Sequence, residues 1–212
     1  HKDIAILSRS LEIDIAVDLG GYTRDARTGI FALSAAPIQI SYIGYIGTMG
    51  ANYYDYLVVD QIVIPEEKQL LYSEKIVYMP NSYQVNDSTQ SPPKIIFTRK
   101  DLVLHEAGFG FCCFNNTFNI TPTTLDSWGR ILEKVDGSVL LIYADNDTAK
   151  INLTKEITAR GIDPSRLIFG KRLPKPEYLA RYRVADLFLN THPYNAGTTA
   201  SDALRMGLPV LA

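Results

Sequence analysis

The sequence predicts an α/β protein whose sheets are parallel and doubly wound, arranged as two consecutive parts. Three observations predict it. Through residues 110–211, short apolar runs alternate with segments of helical spacing, the rhythm of βαβ units. Residues 81–93 form a polar stretch of Asn, Ser, Gln, Thr and Asp with a Pro-Pro pair, which separates two structured regions. Hydrophobic residues make up 46% of the 212 and charged residues 21%, the composition of a folded globular chain and not of a disordered tail. Lys plus Arg total 21 against 23 Asp plus Glu, a net charge of -2, so no basic excess drives binding to nucleic acid or an acidic membrane. No apolar run reaches the ~20 residues of a membrane span. The chain opens on His1 and stops at residues 209–211 in what reads as a strand just begun, so the sequence reads as part of a longer protein. We expect an incomplete first domain at 1–85, a connector at 86–95 and most of a second domain at 96–212.

In the first part, residues 13–19 are apolar enough for a strand, and residues 25–33 have helical spacing. Residues 37–42, 56–59 and 75–78 read as strands, with a short helix over 66–71. In the second part, residues 110–114 form a short apolar strand. Residues 122–135 follow as a helix, with Leu125, Trp128, Ile131, Leu132 and Val135 on one side, Thr121 as cap and Pro122 in the first turn. A strand at 138–143 precedes a helix at 147–160 that Gly161 ends. A strand at 166–169, a short helix at 176–183 and a strand at 185–189 come next. A helix at 199–206 closed by Gly207 and a strand at 209–211 complete the pattern.

Cys112 and Cys113 are neighbours in a predicted strand and point to opposite faces, so they read as two buried thiols and not as a disulfide. His1, His105 and His192 show no ligand spacing, and no set of residues reads as a metal site. Together these suit a reduced, cytoplasmic setting.

Chemistry-bearing residues gather at predicted strand ends. Residues 190–202 leave one strand and open a helix through Gly197, Thr198 and Thr199; backbone N–H groups and two hydroxyls there suit a diphosphate. The competing reading is a plain helix cap, with Asp202 completing a capping box. Lys175, Tyr178 and Arg181 are spaced by three and share a helical face that suits a base, a ribose and a phosphate, or simply a solvated surface. Residues 115–122 place amides beside a helix start, as ligand groups or turn formers alike. Gly20 and Gly21 permit close backbone approach, and Arg24 and Arg27 suit either an anion or a surface pair with Asp25. The glycine-rich stretch 44–50 lacks the Lys and spacing of a P-loop.

Several motifs taken together carry a resemblance. They are Asp18-Leu19-Gly20-Gly21-Tyr22-Thr23, Ala36-Pro37-Ile38-Gln39, the run Gly44 through Gly50, Tyr72-Ser73-Glu74-Lys75, Phe114-Asn115-Asn116, Asp163-Pro164-Ser165-Arg166-Leu167 and the run Tyr194 through Leu204. In this order the chain resembles the catalytic region of O-linked N-acetylglucosamine transferases in their bacterial form. The resemblance implies a GT-B fold, two Rossmann-like domains facing a cleft, usually preceded by tetratricopeptide repeats. It implies an inverting transfer of N-acetylglucosamine from UDP-GlcNAc to a Ser or Thr hydroxyl of a protein, without metal or other cofactor. It places Asn116, Lys175, Tyr178, Arg181, Gly197, Thr198, Thr199 and Asp202 at the UDP-sugar, with the Thr pair on the diphosphate and Asp202 on the ribose.

Three positions depart from the family pattern. Asn119 stands where the family usually has a Lys that offsets charge on departing UDP; losing such a group costs on the order of 3 kcal/mol of transition-state stabilisation. Tyr178 stands where a His is common, and Gly197 where the animal enzymes have His. Two further readings therefore stand beside the transferase: a nucleotide-sugar binding module with weak or lost catalysis, and a GT-B enzyme with a non-protein acceptor.

Overall fold

A computed structural model describes residues 1–89, 91–102, 104 and 108–212. His105, and Gln90 of the expected connector, lie outside the described residues. The chain divides into two compact units, His1–Asn86 and Asp87–Ala212.

The first unit opens with helix α1 (Lys2–Ser10). A parallel sheet follows, with strands β1 (Ile15–Asp18), β2 (Ile38–Tyr42), β3 (Tyr56–Val59) and β4 (Lys75–Tyr78) in the order β1-β2-β3-β4. The sequence reading lacked α1, whose Ile4, Ile6 and Leu7 are exposed and which buries only Ala5. The expected helix at 25–33 is instead a 3-10 segment, Thr28–Leu33. Asp25 takes a φ of 64°, which no α-helix tolerates, so the segment begins after it.

The motif residues of this unit hold loops in place. The buried Asp18 carboxylate accepts the Gly20 and Gly21 N–H groups at 2.9 and 3.1 Å and the Tyr54 hydroxyl at 2.5 Å. A Cβ on Gly44 would lie 2.1 Å from the Leu19 carbonyl oxygen, so the loop after β2 packs on the loop after β1 only as glycine. Gln39 donates to the Phe31 and Tyr53 carbonyls at 2.9 and 2.6 Å and accepts the Ala35 N–H at 2.9 Å. Glu74 accepts the Met49 N–H at 2.6 Å and the Thr48 hydroxyl at 2.7 Å, which closes the glycine-rich loop.

The second unit alternates β5 (Gly110–Cys113), α2 (Pro122–Lys134), β6 (Val139–Tyr143), α3 (Asp147–Ala159) and β7 (Leu167–Gly170). It continues with α4 (Lys175–Ala180), β8 (Leu187–Leu189), α5 (Thr198–Arg205) and β9 (Val210–Leu211). All strands are parallel, in the order β7-β6-β5-β8-β9. Numbered within the unit this is 3-2-1-4-5, the Rossmann order, and its direction reverses between β5 and β8. The expected helix at 176–183 begins one residue earlier and tightens into a 3-10 turn over Arg181–Val184.

The core is continuous through the sheet. Phe111, Cys112, Leu140, Ile142 and Phe188 pack with Trp128 and Leu132 of α2 and Ile157 of α3. Thr121 caps α2 as expected, accepting the Thr124 N–H at 3.2 Å, with Pro122 in the first turn. Cys112 and Cys113 are free and buried; burial pushes the Cys113 thiol up to about 12 and Cys112 well above its usual value. The Arg166 guanidinium donates to the Leu132, Val135 and Ser138 carbonyls at 2.6, 2.8 and 2.7 Å, closing the end of α2 onto β6.

Candidate functional site

The switch point between β5 and β8 is where a sheet of this order leaves room for a ligand. Here the two strand ends are joined by side chains. Asn115, buried just past β5, donates through Nδ2 to Thr191 Oγ1 at 2.8 Å and accepts the Thr199 hydroxyl through Oδ1. Thr191 in turn donates to the Tyr194 carbonyl at 2.6 Å. Asn190 accepts the Thr191 and Ala196 N–H groups at 2.9 and 2.8 Å, which folds residues 190–196 into a closed loop in front of α5.

Helix α5 starts without a side-chain cap, because its N-cap is Gly197. Its first-turn N–H groups therefore stay open at the end where the dipole is positive. Thr198 is exposed there and Thr199 half-buried. The capping-box reading of Asp202 does not hold. Its carboxylate, 5% exposed, accepts Lys175 Nζ at 2.6 Å and is not turned back to the start of the helix.

Lys175, Tyr178 and Arg181 do share a face, as their spacing requires. Lys175 Nζ lies 5.0 Å from the centre of the Tyr178 ring, and Arg181 Cζ lies 4.7 Å from it. The solvated-surface reading fails for Arg181, which is 3% exposed. Its guanidinium stacks 3.6 Å from the Phe114 ring centre and donates to the Lys171 carbonyl at 3.1 Å, while Nε has no hydrogen-bond partner. Burial lowers the Arg181 pKa, yet a guanidinium remains a cation and the ring faces stabilise it.

Tyr182, fully buried, stands edge-on to Tyr178 and donates to the Thr199 carbonyl at 3.2 Å. Burial raises the Tyr178 phenol to about 12, so both hydroxyls stay protonated near neutrality. Beside Tyr178 runs an open groove of ≈ 590 Å³ lined by Arg172, Leu173, Pro174, Lys175 and Tyr178. Asn116 precedes and Asn119 ends the 3-10 turn Thr117–Asn119 that follows β5. The Asn119 N–H donates to the Asn116 carbonyl at 3.0 Å. Neither side chain is tied by a hydrogen bond to another described residue.

Thus Lys175 meets both Asp202 and Tyr178, and Arg181 packs on Tyr178, with Asp202 on the same helix as Thr198 and Thr199, which Gly197 precedes. Sequence reasoning passed over Asn115, Thr191 and Tyr182 as individual residues. Their signal was faint: Asn115 follows the expected strand 110–114 directly, Thr191 lies two residues past β8, and Tyr182 lies four residues from Tyr178. In the first unit, Arg24 and Asp25 meet at 3.9 Å on the open surface, a pair of little energetic weight.

The sequence profile of glycosyl transferase family 41 matches residues 5–97 and 88–212. The chain belongs to glycosyl transferase family 41. Among family relatives, the probable UDP-N-acetylglucosamine–peptide N-acetylglucosaminyltransferase SEC of Arabidopsis thaliana is 37% identical over 98% of this chain, which spans 22% of that protein. The UDP-N-acetylglucosamine–peptide N-acetylglucosaminyltransferase of Caenorhabditis elegans is 25% identical over 94% of this chain and 27% of its own length. A mutant of Thermobaculum terrenum O-GlcNAc transferase superposes with a TM-score of 0.86 at 31% identity, over 100% of this chain and 40% of that one. Anabaena HepE, solved with UDP and glucose, has a TM-score of 0.59 at 13% identity and shares the fold alone. The motif resemblance to the catalytic region of O-linked N-acetylglucosamine transferases agrees with these matches, and the α/β class of GT-B type is the fold they share. The chain spans only 22% and 27% of the length of these two curated relatives.

Proposed function

We propose that the protein containing this chain is an inverting glycosyltransferase that moves N-acetylglucosamine from UDP-GlcNAc to Ser or Thr hydroxyls of proteins. The observation that carries the reading is the Lys175–Asp202 contact beside the uncapped start of α5, at the switch point of a Rossmann-ordered sheet. In this reading Asp202 holds the ribose, and Lys175 turns from it toward the nucleotide. Tyr178 packs on uracil along its groove. Thr198 and the first-turn N–H groups of α5 take the diphosphate. Arg181 acts from beneath, by fixing Tyr178 and Phe114. The acceptor oxygen forms the new bond to the anomeric carbon from the face opposite the leaving group. The bond to the diphosphate breaks, UDP leaves with the electron pair, the acceptor hydroxyl's proton passes to the departing diphosphate or to solvent, and the helix end stabilises the diphosphate charge.

The reading requires no metal, since the helix terminus and Lys175 supply the positive field. Among the described residues no group of three or more His, Cys, Asp or Glu is gathered to hold one. Among the described residues no helix is long and apolar enough to cross a membrane. A cytoplasmic setting is supported by the buried free thiols. Upstream tetratricopeptide repeats, and domains at 1–85 and 96–212 joined through 86–95, are supported by the motif order.

Asn119 favours a second reading, a nucleotide-sugar binding module with weak or lost catalysis, because a neutral amide stands where the family usually has a cation. The test is sugar transfer by the full-length protein beside its Asn119→Lys variant, with UDP binding measured on both. Transfer by the wild type supports the enzyme. UDP binding without transfer, restored by Asn119→Lys, selects the binding module, and absence of UDP binding removes both.

A further inference from the structure

We propose that Asn115 is a positioning residue for the diphosphate end of this site. Its amide oxygen accepts the hydrogen bond of the Thr199 hydroxyl, leaving the Thr198 hydroxyl and the α5 backbone N–H groups as the anion donors. The inference rests on the UDP reading above and deepens it.

The direction of the hydrogen bonds carries the argument. Thr191 spends its only hydroxyl proton on the Tyr194 carbonyl at 2.6 Å, so toward Asn115 it is the acceptor. The Asn115 amide nitrogen therefore faces Thr191, at 2.8 Å, and its oxygen faces Thr199. An amide oxygen only accepts, so the single Thr199 hydroxyl proton is donated to Asn115. Thr199 then has no O–H left for a phosphate oxygen, whereas Thr198 is exposed at the same turn. Asn115 itself is 3% exposed and reaches no solvent-facing ligand position; it acts by tying the end of β5 to the β8 loop and to α5. Tyr182 anchors the same residue from the other side, through the Thr199 carbonyl at 3.2 Å. The first turn of α5 is thus set against the sheet at one residue, by two buried side chains. Groups assigned to the uridine (Tyr178, Lys175 and Asp202) are not bonded to Asn115.

This separation supplies the test. UDP and uridine are titrated calorimetrically, as separate probes, into the full-length protein and its variants. Asn115→Ala is expected to weaken UDP about tenfold, the scale of an unmade buried hydrogen bond, while uridine affinity stays unchanged. Thr199→Val is expected to weaken UDP in the same way. The double variant is expected to lose no more than the worse single one, because both remove one shared interaction. If Asn115→Ala does not fold, the near-isosteric Asn115→Leu replaces it; that variant also removes the acceptor for Thr199, and the same lack of additivity is expected. Equal loss of UDP and uridine would overturn the proposal, as it signals general damage. Fully additive losses would overturn it too, since Thr199 would then meet the phosphate on its own account. Failure of the wild type to bind UDP would instead remove the functional reading on which the proposal stands.

Discussion

In the proposed transferase, Asn119 is the residue expected to limit catalysis, since it stands where the resemblance implies a cation. A cation at that turn would meet negative charge as it develops on the leaving diphosphate, and not before. Asn119→Lys is therefore expected to raise kcat for sugar transfer by about 10²-fold while changing UDP affinity far less, following the ~3 kcal/mol of one such group. Single-turnover and steady-state transfer assays separate the two quantities. Arg181 makes the opposite case, a charged residue whose value lies in packing. Its guanidinium fills the space between Phe114 and Tyr178. Arg181→Ala is expected to destabilise the second unit by about 2–4 kcal/mol through the lost ring contacts and the cavity left behind. Urea unfolding followed by Trp128 fluorescence measures this, because Trp128 is the only tryptophan and is buried in that unit. From sequence, Arg181 and Lys175 look alike on a face of period three. Burial separates them, and burial depends on where Phe114 sits after the fold closes.

At the scale of elements, the caps and staples around α2 make local predictions. Thr121→Ala is expected to cost about 1 kcal/mol, the usual value of an N-cap, with a further loss from its bond to the His192 carbonyl at 3.1 Å. Arg166→Met removes three bonds to backbone carbonyls, of which the Val135 carbonyl still accepts from Ser138, and is expected to cost about 2–3 kcal/mol without changing UDP affinity while the unit stays folded. Urea midpoints beside UDP titrations check both. Elements with a strong local signature were legible in the sequence. Residues 56–59 and 75–78 stood out as short β-rich runs, and α2 was marked by its cap, its proline and its apolar stripe. Segments lacking such a signature were not. The stretch 25–33 has helical spacing, but the positive φ of Asp25 and the left-handed Ser34 confine it to a 3-10 segment. α1 presents several apolar residues outward, so its spacing marks no buried face. The candidate site was legible where residues lie on one helix or open one, as at 175–181 and 197–202. Asn115, Thr191 and Tyr182 became visible only once strands far apart in sequence lay side by side.

At the scale of the whole molecule, the buried thiols and phenols set the response to alkali. Folding raises Cys113 and Tyr178 to about 12 each, against unfolded values of about 8.5 and 10. Between those limits the unfolded chain releases protons that the folded chain retains. Stability is therefore fully present below about pH 8.5 and falls as pH rises toward about 12. Urea midpoints recorded across that window are expected to drop steadily, and neither cysteine is expected to react with an alkylating reagent before unfolding. Ligand linkage runs the other way. A nucleotide bound to the second unit adds about 2.7 kcal/mol at a hundredfold excess over its Kd, and the Trp128-reported melting temperature rises with it. The start of α5, with Lys175 and Asp202, is the proposed UDP site. Calorimetric titration of UDP into the full-length protein and its Asp202→Asn variant tests it most directly. The account predicts saturable one-to-one binding by the wild type, weakened at least about tenfold in the variant; no binding by the wild type, or equal affinity in the two, would contradict it.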